Sequence, residues 1–188
     1  MLKLNLGCGH ARMDGWVNVD KHPSPACDQI VDLEKLPWPW PDDSVDEILL
    51  RHVLEHLGAA TDLYLAIVKE IWRVCGHRAT INVAVPHPRH DHFIWDPTHV
   101  RPITWEGLGL FSQEKNRLSL AAGSASTPLG IQLGVDFQME AAVLILDEPW
   151  ATRQRERTIS DEDLQFAIKH YNNVLLEVRI TLRALKPP

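Results

Sequence analysis

The stretch LNLGCGHARMDGWVNVD, residues 4–20, decides how the chain is read. A short apolar run from Leu4 to Leu6 ends in a Gly-x-Gly at Gly7 and Gly9, and a second apolar run closes on Asp20. A strand that ends on glycines lets backbone approach a ligand with no Cβ in the way, and an acidic group at the end of the next strand can accept from both hydroxyls of a ribose. Two glycines after an apolar run also make an ordinary turn, so the spacing has to discriminate. Only residues 7–16 join the two runs, too few for a crossover helix, and Arg12 stands where the third glycine of Gly-x-Gly-x-x-Gly would fall. A pyrophosphate wants a helix N-terminus, which this connection hardly offers. The expected ligand carries a ribose and no phosphate.

Further apolar or β-branched runs follow at 29–31, 45–50 and 79–85, each ended by Gly, Asp, Arg or Pro, and all read as strands. Between the last two, Leu63, Ile67, Ile71, Val74 and Cys75 recur at helical spacing, with Gly76 placed as a C-terminal cap. Strands joined by crossovers argue for a parallel sheet with ligands at its carboxyl edge. Two long β-rich runs, 134–146 and 172–185, suggest a terminal antiparallel pair. Between them Ser160 and Asp163 resemble a capping box. Residues 87–134 show little periodicity and read as a lid or acceptor insertion within a single domain, 1–188.

With 188 residues and 45% hydrophobic content, one domain with a proper core is expected. Nineteen basic against 25 acidic side chains give a net charge of −6, which makes nucleic acid a poor partner. The start MLKLNLGCG lacks a leader pattern, and no apolar run approaches the roughly 18 residues of a membrane span, so a cytoplasmic protein is expected. Cys8, Cys27 and Cys75 form no C-x-x-C pair and read as reduced thiols.

Four segments, LNLGCG, DGWVNVD, DLEKLPWPWPDDSVDEILLRHVLEHL and EIWRVCGHRATINVAVP, resemble in order and spacing the motifs of class I S-adenosylmethionine-dependent methyltransferases, especially the small type 11 kind. The likeness covers about residues 3–86, and HFIWDPTHVRPITW at 92–105 is similar to a segment some small members carry after their fifth strand. It implies a Rossmann-like α/β sheet, mostly parallel with a C-terminal antiparallel hairpin, and S-adenosylmethionine as cofactor. It also implies that Gly7, Cys8 and Gly9 lie under the methionine moiety, Asp20 on the ribose, Asp32 and Leu33 beside the adenine, and Arg51 near the amino acid group. Asn5 stands where many members carry an acidic residue linked to the cofactor's ammonium. Many members also begin with cap helices that this chain lacks, so 87–134 or a second subunit of a homodimer would have to cover the cofactor.

Methyl transfer from a sulfonium is an in-line displacement from an activated donor, so the protein mainly aligns the acceptor and supplies a base when the acceptor carries a proton. His52 and His56, four apart after the fourth strand with Glu55 between them, are the first candidates, and His87 follows the fifth strand. Asp96 and His99, near Pro97 and Pro102, add an acid and a base; His52, His56 and His99 are the expected catalytic group. His87, His90, Asp91, His92, Asp96 and His99 match no metal-ligand spacing, and no metal is expected. Trp38 and Trp40 in PWPWP read as indoles covering the core edge, and RQRER at 153–157 as a solvated charged loop. The favoured function is methylation of a small molecule, a sugar or polyol for example, at oxygen or nitrogen. The alternatives are a protein or nucleic-acid methyltransferase and a cofactor-binding domain without catalysis.

Overall fold

In the computed structural model, which describes residues 1–187, the opening stretch forms β1 (Lys3–Leu6) and β2 (Val17–Asp20), paired in parallel with Leu4 opposite Val17 and Leu6 opposite Val19. β3 (Gln29–Ile30) extends the sheet beside β2, and β4 (Val45–Arg51) lies on the other side of β1. α1 (Thr61–Val74) crosses over to β5 (Cys75–Pro86), parallel to β4. Then come α2 (Asp91–Ile94), α3 (Trp105–Gly109), α4 (Gln113–Ala121), α5 (Leu129–Leu133), β6 (Phe137–Leu146), α6 (Trp150–Arg155), α7 (Asp161–His170) and β7 (Leu175–Ala184). β7 slots between β5 and β6, antiparallel to both, and the order is β3-β2-β1-β4-β5-β7-β6. Among the described residues no helix is long and apolar enough to cross a membrane.

Alternation along the strands builds the core. Leu4, Leu6, Ile48, Leu50, Ile81 and Ile180 are almost completely buried on one face, where Ile67, Val68, Ile71 and Val74 of α1 join the same cluster. Each such side chain contributes about 1.5–3 kcal/mol. Several intervening positions are polar and paired: Lys3 reaches Glu47 at 2.9 Å, Asn82 donates to Glu47 at 3.1 Å, and Thr181 donates to Asn82 at 3.1 Å. Trp38 and Trp40 sink into the core, and the loop that carries them is clamped by Glu70, which accepts from the Trp38 backbone, and by Arg73, which donates to the carbonyls of both tryptophans.

Three sequence expectations are corrected. Gly76 does not cap α1: the helix ends at Val74 and the chain enters β5 at Cys75, so the glycine is a strand residue. The 87–134 segment is not all lid, because Ile103, Leu108 and Phe111 are buried in the main core and Ser112 caps α4. From its first part, His92, Asp96, Thr98 and His99 line cavities at the carboxyl edge. Residues 153–155 of the expected charged loop are the last turn of α6.

Candidate functional site

The carboxyl ends of β1, β2 and β4 open on one cavity of about 520 Å³, lined by Gly7, Gly9, Asp20, Asp32, His52 and His56 among others. Each element delivers its residue for a local reason. Gly7 turns the chain out of β1 at φ +65°, and a Cβ there would stand 2.4 Å from a Val53 methyl. Gly9 has φ +53° with open space where its Cβ would be. The loop between β1 and β2, too short for a helix, is organised by buried side-chain amides instead. Asn5 donates to the Ala11 carbonyl and to Asn18 Oδ1, each at 2.9 Å, and Asn18 also accepts from the Met13 amide at 2.8 Å. Asn18 is in turn held by Asp28, which accepts from its backbone and side-chain nitrogens, each at 2.9 Å. Those bonds, with the Arg12 guanidinium, lower the Asp28 carboxyl to about 2.

Asp20 binds the two loop arms: Oδ2 accepts from the Gly9 amide and Oδ1 from the His22 amide, both at 2.9 Å. An ionised carboxylate has about four lone-pair sites, so each oxygen of this cavity-lining side chain retains one. Asp32 and Leu33 line the wall beyond it, near Lys21, His22 and Ser24. Ser24 donates to the Gly9 carbonyl at 2.7 Å. Lys21, His22 and Ser24 went unnoticed in the sequence, although their place just after the carboxyl end of β2 is a usable signal.

The remaining expected residues divide. Cys8 is buried and does not line the cavity; it contributes backbone only, and burial pushes its thiol up to about 11. Asn5 supports the loop from beneath. Arg51 lies on the polar face of the sheet with Leu49, Asn82 and Thr181, in a different cavity. The residue after it reverses direction: His52 has φ +53°, a left-handed conformation that histidine tolerates better than most residues. Its Nε2 reaches Glu177 at 2.9 Å and its Nδ1 stands 3.5 Å from Glu55. The neighbouring Glu55 carboxylate, and then Glu177, raise the His52 pKa against the opposing effect of burial.

His56 and His99 meet with ring centroids 4.6 Å apart, because the 96–101 loop is stitched onto the 3-10 turn Leu54–His56: Val100 donates to the Glu55 carbonyl at 2.9 Å. His87 lines neither this cavity nor the one beside His99, and burial lowers its pKa. His90 is buried, pairs with Asp147 at 3.0 Å and caps α2.

No family model matches the chain, and neither does any curated protein; the likeness to known proteins is one of structure. A SAM dependent methyltransferase from Archaeoglobus fulgidus has a TM-score of 0.61 at 16% identity, over 96% of this chain and 85% of that one. The 1,6-didemethyltoxoflavin-N1-methyltransferase of Burkholderia thailandensis, solved with bound 1,6-didemethyltoxoflavin and S-adenosylhomocysteine, has 0.54 at 13%, over 98% and 71%. The [4+2]-cyclase SpnF has 0.54 at 15%, over 98% and 74%. The fold is that of the class I S-adenosylmethionine-dependent methyltransferases. The cyclase bears the same architecture, so the reaction has to be argued from the site.

Proposed function

We propose that the protein is an S-adenosylmethionine-dependent methyltransferase acting on a small-molecule acceptor at oxygen or nitrogen, a sugar or polyol for example. One observation carries the reading: a single cavity joins the glycine turn after β1 and the Asp20 carboxylate to two histidines at the end of β4. Its size falls in the range that encloses small molecules and cofactors.

S-adenosylmethionine, when bound, supplies a methyl group already activated for displacement. The residues fit that group. Gly7 and Gly9 bring backbone to the cavity wall where a side chain would intrude, and Asp20 keeps lone pairs for a ribose diol. Asp32 and Leu33 lie along the same wall for the adenine. At the other end His52, held by Glu177, and His56, held by Thr98, stand where an acceptor would sit, and either can take its proton. The 92–99 segment closes that end, bringing Thr98 to the cavity wall and His99 against the ring of His56. The net charge of −6 favours a small acceptor over a polyanion, and three unpaired thiols suit a reducing cytoplasm.

Calorimetric titration with S-adenosylhomocysteine, followed by tritiated-methyl transfer to a metabolite extract, to total RNA and to a protein lysate, tests the reading. Saturable binding and label in the metabolite fraction are expected. Absence of binding would overturn the cofactor, and label in the RNA or protein fraction would overturn the acceptor class.

A further inference from the structure

A second cavity of about 340 Å³ backs onto the first and shares His52 and His56 with it; Glu55, His92, Asp96 and His99 also line it. Glu55 is the anomaly there. Its side chain is wholly buried, and neither carboxylate oxygen has a hydrogen-bond partner. Among the described residues no lysine or arginine is within ion-pair distance of it, and the one cationic partner near it, the His52 ring whose charged form it favours, stands 3.5 Å away without a hydrogen bond. A carboxylate in that state is costly unless something else compensates it.

Two histidines face it, each oriented through Nδ1. His99 Nδ1 lies 2.9 Å from the Phe93 carbonyl, which can only accept, so that nitrogen donates, and Nε2 stands 3.7 Å from Asp96. Thr98 gives its single hydroxyl proton to Asp96 at 2.6 Å, so His56 Nδ1, 2.9 Å from the same oxygen, has to donate to it. His56 Nε2 has no hydrogen-bond partner among the described residues. Imidazoles oriented through Nδ1–H by a carbonyl or a carboxylate-backed hydroxyl are the usual outer support of metal ligands. A Glu55 oxygen and one ring nitrogen each of His56 and His99 lie within 4.8 Å of one another. A tetrahedral ion with bonds of about 2.0–2.2 Å would draw them to roughly 3.4 Å, within reach of side-chain rotation.

We propose that Glu55, His56 and His99 form a binding site for a first-row divalent cation, with zinc the best match to two imidazoles and one carboxylate. The hard, oxygen-seeking magnesium ion suits this donor set poorly. Three protein ligands leave a coordination position open beside the shared His56. Resting on the methyl-transfer reading, the ion's task there is to hold and polarise an acceptor oxygen, with His56 serving as its ligand in place of a proton acceptor.

The test uses the full chain, stripped with a chelator and titrated calorimetrically with zinc chloride and magnesium chloride, with bound metal counted by mass spectrometry. One zinc per chain is expected, at least 100-fold tighter than magnesium. Glu55→Gln and His99→Ala should each weaken zinc at least 100-fold, while His170→Ala, exposed at the end of α7, should not. Glu55→Gln removes a buried carboxylate that accepts no hydrogen bond, so without metal its melting temperature should equal or exceed the parent's, and added zinc should raise only the parent's. No zinc binding, or equal binding by both site variants, overturns the inference. S-adenosylhomocysteine affinity measured on the same samples keeps the two readings separate: zinc without the nucleoside would sink the methyltransferase, and the nucleoside without zinc would sink the metal site.

Discussion

Replacing Gly7 by alanine separates the two demands made on that position. The backbone sits at φ +65°, which costs a residue with a Cβ about 1–2 kcal/mol. The new Cβ would also stand 2.4 Å and 3.1 Å from the two γ-methyls of Val53, and forcing such a contact in a packed core costs about 1–3 kcal/mol. Gly7→Ala should therefore lose about 2–5 kcal/mol in urea unfolding, read at constant m-value. Val53→Ala alone removes two buried methyl groups and should cost about 1.6 kcal/mol. In the Gly7→Ala background it relieves the clash, so the two changes should couple by about 1–3 kcal/mol, leaving the φ strain uncorrected. Gly9→Ala is the control, with a similar left-handed φ and nothing within 4 Å of the added carbon. It should lose only about 1–2 kcal/mol of stability, while its methyl group intrudes on the cavity and weakens S-adenosylhomocysteine binding. A Gly7→Ala protein as stable as the parent, or strict additivity with Val53→Ala, would refute the close-approach reading of this turn.

Asp20→Ala removes the acceptor for two loop amides and for the expected ribose diol, and should weaken S-adenosylhomocysteine by roughly 2–4 kcal/mol in calorimetry. For Asp28 the folded value, about 2, is below the ordinary 3.8, so its contribution is present above pH 4 or so and is lost as the pH falls toward 2. Asp28→Asn should accordingly lower the melting temperature at pH 7 and converge on the parent in thermal melts at pH 2. Burial pushes the Cys75 thiol up to about 12, so a disulfide reagent should leave it unmodified in the native chain and modify it in urea, as peptide mapping would show.

Much of the site was legible because it depends on short-range patterns. The Gly-x-Gly after an apolar run, the ten-residue connection and the acidic end of β2 are local, and they put the turn and Asp20 at the carboxyl ends of β1 and β2. Arg51 was misplaced even so, although period-two alternation with the buried Leu50 puts it on the opposite face. The 103–135 segment was misjudged for another reason. Its core contacts come from isolated residues, Ile103, Leu108, Phe111 and Val135, and make no periodic stripe.

The amino-acid sequence by itself determined the carboxyl ends of β1 and β2, the absence of a first crossover helix and the capping of α7, since each is decided by neighbours a few residues apart. Tertiary structure alone decided which titratable groups share a space. Glu55 and His99 are far apart in the chain, and their meeting depends on the Val100 amide finding the Glu55 carbonyl, a bond that no spacing rule encodes. Whether Glu55 is a solvated surface acid or a wholly buried carboxylate is likewise set by the packing of Pro86, Leu176 and the 96–101 loop around it. Burial is a property of the assembled fold, and it turns an ordinary glutamate into a group that requires a partner.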